Sequence, residues 1–282
     1  MVPVLELSKP RITQLVVLTA AAGYYLGSQG AFRLGVFAAT LVGTALVAAG
    51  TNAFNMVRER DVDAQMQRTR NRPLPAGRVS PRAATVFAAA AATVGIGLLA
   101  WRVNLVTAAL ATLTLVSYVW FYTSLKRRST LNTLVGAVPG ALPVLGGWTA
   151  AGGRLDAPAF ALFWTLFLWQ LPHFLALAWM YREDYRTAQL RMLSVEDASG
   201  RRTAQMALLY ALALLPVSLL PTILGVTGSV YFFGALALGF AYAAAGVLML
   251  LDANKRAWLV FVVSIIYLPA LLTLAVLDKV RT

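Results

Sequence analysis

Nine apolar stretches recur along the chain, at roughly 12–29, 33–56, 83–101, 104–122, 132–151, 157–180, 204–223, 229–251 and 256–277. Each approaches the ~20 residues that a membrane-spanning helix requires. A backbone in hydrocarbon must satisfy its own polar groups, which restricts it to helices or a closed barrel. These stretches are too long for strands and lack period-two alternation, so the pattern predicts helices. Charged residues make up only 12% of the chain, against about 25% in soluble domains. The expectation is one all-α, polytopic membrane domain over residues 1–282, with little sequence left for a separate soluble unit.

Several stretches are rich in Ala, Gly and Thr, as in AAAAATVGIGLLA from Ala88 to Ala100. Small residues let helix backbones approach closely in lipid. GAVPGALPVLGG, from Gly136 to Gly147, predicts a kinked or closely packed fifth helix. No cysteine is present, which excludes disulfides, thiolate metal sites and thiol catalysis. The N-terminus carries Glu6, Lys9 and Pro10 and lacks a small-residue cleavage site, so it does not read as a signal peptide.

A net charge of +13 raises the possibility of nucleic-acid binding, but the distribution argues otherwise. The N-terminus and the loops after helices two, four, six and eight hold nineteen of the 24 Lys and Arg residues. Positive charge favours the cytoplasmic side. The expected topology is N-terminus inside and C-terminus outside, with no nucleic-acid partner. The absence of a transit-like extension before the first helix points to a bacterial plasma membrane.

Seven of the 11 acidic residues fall in two short stretches: Glu59, Asp61 and Asp63, then Glu183, Asp184, Glu196 and Asp197. Both lie on the basic face. Carboxylates beside a bilayer are costly to desolvate without a partner or a bound cation. Asn55, Glu59 and Asp63 recur every fourth residue, which aligns them on one helical face. Hard oxygen donors of this kind suit Mg²⁺, which takes one or two carboxylates together with substrate phosphate oxygens. Arg60, Arg68, Arg70 and Arg72 follow, and guanidinium groups suit phosphate. The alternative is a solvated helix end laced with salt bridges. Glu183 and Asp184, flanked by Tyr181, Arg182, Tyr185 and Arg186, form a second place for a cation and a phosphate on the same face.

His173 is the only histidine and lies one turn from Gln170 inside the sixth stretch. Its readings are a helix-packing hydrogen bond, a haem-iron contact or a proton-transfer group. Lys126 either anchors the fourth helix, as Arg127 and Arg128 do, or reaches the diphosphate. Asn132 is either a helix cap or a pocket group.

These residues together resemble the UbiA-type intramembrane prenyltransferase superfamily, and within it the haem O synthase branch. The resemblance rests on SKPRITQLVVLTAAAGYYLG, NMVRERDVDAQMQRTRNRPLPAGRVSP, KRRSTLNTLVGAVPGALPVLGGW, WQLPHFLALAW and YREDY, and it covers nearly the whole chain. It implies nine helices around a central cavity open to lipid. It also implies Mg²⁺ as cofactor, and farnesyl diphosphate and haem B as partners alongside membrane lipid, with a downstream haem A synthase. The implied chemistry is farnesyl transfer to a haem vinyl group, water supplying a hydroxyl. The implied metal residues are Asn55, Glu59, Asp63, Glu183 and Asp184, with His173 as a further catalytic group. The implied diphosphate residues are Arg60, Arg68, Arg72, Lys126, Tyr181 and Tyr185. A quinone precursor or other aromatic acceptor is the alternative within the superfamily; a transporter or non-catalytic haem-binding protein is the alternative outside it.

Two departures from the family pattern stand out. Glu59 occupies a position where Asp is usual. The segment Ala188–Ser194 lacks the usual Gly and prolines after YREDY, which predicts a less constrained loop.

Overall fold

The structure is a computed structural model and describes residues 3–28, 30, 32–152 and 154–280. Twelve helices follow in order among the described residues. A short α1 (Pro3–Leu7) precedes α2 (Pro10–Gly27), α3 (Leu34–Gln65), α4 (Pro81–Arg102) and α5 (Leu105–Leu125). Next come α6 (Asn132–Ala150), α7 (Ala157–Met180), and two short helices, α8 (Arg182–Thr187) and α9 (Leu193–Glu196). The chain closes with α10 (Arg201–Ile223), α11 (Ser229–Leu251) and α12 (Ala253–Leu277).

Eight of these helices are long and apolar enough to cross a bilayer, and the protein is an integral membrane protein. The expected ninth, α2, has 18 residues and opens with Arg11 and Gln14, so it falls outside that group. It nevertheless packs within the bundle, against α3 and α6. Among the described residues, eight of the nine expected spans thus meet that length and apolarity, and α2 lies at the expected first span with lower apolarity. The other clear difference is α3, which continues to Gln65, nine residues beyond the expected end near 56. Its polar extension carries the first acidic motif as ordered helix.

Neighbouring helices in sequence pack side by side, and α12 returns to α2, closing a ring. Within it α6 touches α2, α5 and α7. Close approach explains its composition. A methyl group on Gly147 would collide with the Ala20 carbonyl oxygen, and one on Gly23 with that of Val144. Pro139 and Pro143 lie inside α6 without ending it. The main core joins α6, α7 and α10–α12 around Trp148, Trp169, Trp179, Tyr242 and Tyr267.

The antiparallel order brings the ends of α3, α5 and α7 and the starts of α2, α4, α6 and α10 to one face. At the other face Lys279 donates to the carbonyls of Tyr25 and Ser28, and Asn104 Nδ2 donates to Thr149 O at 2.9 Å.

Candidate active site

The α3 extension presents Asn55, Glu59 and Asp63 inward, 1%, 7% and 1% exposed. They form one wall of a cavity of about 160 Å³. Lys9, Arg68, Arg72, Tyr118, Tyr122, Lys126, Asn132 and Tyr185 also line it, with Phe174, Leu177, Leu190 and Met192 as apolar walls. Ion pairs answer the two carboxylates. Arg72 Nη1 donates to both Asp63 oxygens, at 2.9 and 2.7 Å. Lys126 Nζ donates to Glu59 Oε1 at 2.6 Å. Lys9 Nζ donates to Asn55 Oδ1 at 2.8 Å, while Asn55 Nδ2 donates to Thr123 Oγ1 at 3.2 Å.

Burial disfavours the Lys126 ammonium, but the Glu59 carboxylate outweighs it and holds the group well above its ordinary pKa. Lys9 has no carboxylate in direct contact. Burial, reinforced by Arg72, brings it down to about 7, with Glu59 and Asp63 opposing.

The end of α5 is shaped by a π-helical stretch, Ser117–Tyr122, in which the Thr123 amide reaches back to Tyr118 O. Such stretches insert one residue into the turn and often mark functional sites. Here Tyr118 and Tyr122 both face the cavity, their rings 5.1 Å apart, and the Lys126 ammonium sits 4.6 Å above the Tyr122 ring.

The second acidic stretch meets this wall only in part. Asp184 Oδ2 accepts from the Arg68 backbone amide at 3.2 Å, which joins the two motif-bearing loops. The Arg68 guanidinium lies 5.1 Å from the Tyr181 ring centre. Glu183 is exposed, held by Arg186 at 2.8 Å and Arg182 at 3.8 Å, and is not among the cavity-lining residues. Arg60 also stays outside, beside Asp61 at 3.6 Å. Glu196 pairs with Arg191, and Asp197 caps α10.

The loop after Tyr185, expected to be less constrained, is instead tied down. Gln189 takes a left-handed φ of 54°, and the Arg191 amide donates to Lys126 O at 2.8 Å. Asn132 Nδ2 bridges Ser129 O and Arg191 O at 2.7 and 2.8 Å. Hydrogen bonds here take over the role of Gly and Pro, and Leu190 and Met192 are buried. Asn132 thus lines the cavity and pins the turn at once.

His173 faces away from this cavity, toward α12. Its Nδ1 lies 2.7 Å from Ser264 Oγ, and its ring stacks on Phe261 and Trp169 at 4.9 and 5.7 Å. The Ser264 hydroxyl donates to Phe261 O at 2.5 Å. With the Ser264 hydroxyl given to Phe261 O, Nδ1 of His173 is the donor to Ser264, and in that tautomer of the neutral imidazole Nε2 is the acceptor. Gln170 does not pair with it; its amide donates to Ala137 O at 2.9 Å.

Lys9, Tyr118 and Tyr122 are site residues that sequence reasoning did not single out. The available signal for Lys9 was a Lys-Pro pair opening the first helix on the face that holds both acidic motifs.

Among the described residues no three Asp, Glu or His side chains converge as a self-sufficient metal site. The donors present are two carboxylates and an amide on one helical face. That set fits Mg²⁺ when substrate phosphate oxygens complete its shell.

Comparison with known proteins agrees with this picture. The pattern of the UbiA prenyltransferase family matches residues 16–275. The chain is 42% identical over 285 residues to a protohaem IX farnesyltransferase of Solibacter usitatus, covering 98% of each chain. It is 44% identical over 275 residues to the protein of that name in Salinibacter ruber, covering 97% of each. Among solved structures, one described as digeranylgeranylglyceryl phosphate synthase superposes with a TM-score of 0.83 at 18% identity, over 98% of this chain and 97% of the other. A UbiA homologue from Archaeoglobus fulgidus bound to GPP and Mg²⁺ superposes at 0.69 and 14% identity, over 97% and 99%. Helix order, the polar chamber at one face and a likeness running the length of the chain lead to one conclusion: this protein belongs to the UbiA prenyltransferase family.

Proposed function

We propose that this protein transfers the farnesyl group of farnesyl diphosphate to a vinyl group of haem B, producing haem O in a bacterial plasma membrane. The reaction class is supported by one observation above all: a buried chamber that pairs acidic oxygens with basic side chains. The acceptor is supported by relatives named protohaem IX farnesyltransferase that match at 40–46% identity. A haem A synthase is the class of partner that would take the product onward.

Mg²⁺ would be held by Asn55, Glu59 and Asp63 together with Asp184, which the Arg68 amide ties to the loop after α3, and when bound would neutralise diphosphate charge as a Lewis acid. Arg72, Lys126 and Arg68 donate to the diphosphate oxygens as the allylic C–O bond breaks and its electron pair leaves with diphosphate. Tyr118 and Tyr122 turn aromatic faces toward the developing allylic cation. Phe174, Leu177, Leu190 and Met192 keep water from it. The vinyl π electrons form the new carbon–carbon bond. The haem-side cation then takes water, and the released proton passes to diphosphate. No base is required before the vinyl attacks. His173, packed against Ser264 of α12 and outside the chamber lining, is assigned to the haem. Glu183 and Arg60, exposed and outside the chamber lining, are assigned to recruiting the metal–diphosphate complex, with Tyr181 and Tyr185 steadying the loop.

The test is turnover of haem B, farnesyl diphosphate and Mg²⁺ by the purified protein, with products read by mass spectrometry. A haem gaining one farnesyl group and one water is expected, and EDTA abolishes it. A prenylated quinone precursor with unchanged haem would reject the acceptor assignment.

A further inference from the structure

Each of the three α3 groups in the chamber wall already holds a basic side chain: Asn55 holds Lys9 at 2.8 Å, Glu59 holds Lys126 at 2.6 Å, and Asp63 holds Arg72 at 2.7 and 2.9 Å. Buried carboxylates are unstable without such partners. Four basic side chains line the chamber, Lys9, Arg68, Arg72 and Lys126, against the two carboxylates Glu59 and Asp63. A bare divalent cation entering there must displace bound cations and adds charge to a basic chamber. Diphosphate alone must approach two carboxylates. A metal–diphosphate complex meets neither obstacle, because the metal takes the α3 oxygens while the phosphates take the displaced cations.

We propose that Lys9, Lys126 and Arg72 are exchangeable partners of the α3 oxygens. They hold the α3 oxygens in the ligand-free protein and move to diphosphate when metal and diphosphate enter together. Metal and diphosphate binding are therefore mutually dependent, each raising affinity for the other. This rests on the reading of the chamber as a metal–diphosphate site, not on the identity of the acceptor.

Lys9 is the member that only the tertiary structure supplies. Its backbone takes φ 47° and ψ 68°, uncommon for a residue with a side chain, directly before Pro10 opens α2. Such strain persists where surroundings over-determine it. Leu7 is fully buried, and Glu6 is held by Arg78 at 2.7 and 3.0 Å. The anchored segment thus delivers the Lys9 ammonium to Asn55.

The experiment uses full-length protein in lipid nanodiscs, Mn²⁺ as a paramagnetic substitute for Mg²⁺, and inorganic pyrophosphate. Free Mn²⁺ is read by electron paramagnetic resonance. For wild type, pyrophosphate should tighten Mn²⁺ binding at least tenfold. In Lys126→Met, Mn²⁺ alone should bind about tenfold tighter than to wild type, while Mn²⁺–pyrophosphate binds about tenfold more weakly. Lys9→Met, which removes only a contact to a neutral amide, should show the same opposed shifts at about threefold. It carries the test if Lys126→Met fails to fold. Shifts of one sign, or unchanged binding of Mn²⁺ alone, overturn the exchange. Failure of wild type to bind Mn²⁺–pyrophosphate at all would reject the metal–diphosphate reading itself.

Discussion

At the scale of single residues, the site separates groups by what they touch. Asp63 is buried and held on both oxygens by Arg72, so its negative charge sits on the chamber wall. Asp63→Asn keeps the shape and removes that charge. Farnesyl transfer should fall about 10²–10³-fold, the range for losing one well-placed electrostatic group; wild-type turnover would contradict the assignment. Asp197, from the second acidic stretch, works differently. Its carboxylate accepts from the Thr203 amide and hydroxyl at 2.8 and 2.9 Å and from the Gly200 amide at 3.0 Å. Partial burial raises its pKa, but these bonds prevail and hold it below the ordinary value for an aspartate. The folded state therefore binds this proton less readily than the unfolded chain. The stabilisation is present above about pH 4 and is lost as pH falls through the lowered folded-state pKa. Asp197→Ala should lose about 1 kcal/mol near neutral pH, with the difference from wild type shrinking in acid unfolding below pH 4.

Elements show how small residues and helix irregularities position the chamber. α2 lies against α6 because Gly23 and Gly147 leave no Cβ between the backbones. Gly147→Ala places a methyl group against the Ala20 carbonyl, and the helices must separate. The expected loss is about 1–3 kcal/mol, measured as lowered thermal stability in detergent, with weaker substrate binding because α2 carries Lys9 at its start. An unchanged melting temperature would mean that the two helices do not pack this tightly. The π-helical stretch in α5 has a different effect. It widens the turn after Ser117, beside Tyr118, Tyr122 and Lys126, which recur every fourth residue and line the chamber together with the α3 oxygens. Four-residue spacing places these side chains on one face, whereas the wider π-helical turn is seen only in the structure.

For the whole molecule, alternating helix direction gathers basic loops and both acidic motifs at one face. If that face is cytoplasmic, a membrane-impermeant maleimide should label Arg70→Cys only in inverted vesicles and Arg154→Cys only in right-side-out vesicles. The natural chain has no cysteine to interfere. The reverse pattern would invert the topology.

The helical bundle was legible in the sequence because hydrocarbon imposes one rule on every span: apolar side chains over about 20 residues. The α3 motif was legible for a similar reason, since fourfold spacing puts Asn55, Glu59 and Asp63 on one helical face whatever the surroundings. Pairing partners are not encoded in local spacing. Lys9 reaches Asn55 across 46 residues and Lys126 reaches Glu59 across 67. Glu183 and Asp184 are adjacent in sequence, yet one turns to solvent and the other to the Arg68 amide. The sequence alone determined a membrane bundle with acidic and basic groups at one face. Which charges meet, which remain outside, and how tightly the loop after Tyr185 is held were decided by tertiary packing, because burial makes each charge depend on neighbours that only the folded chain brings near.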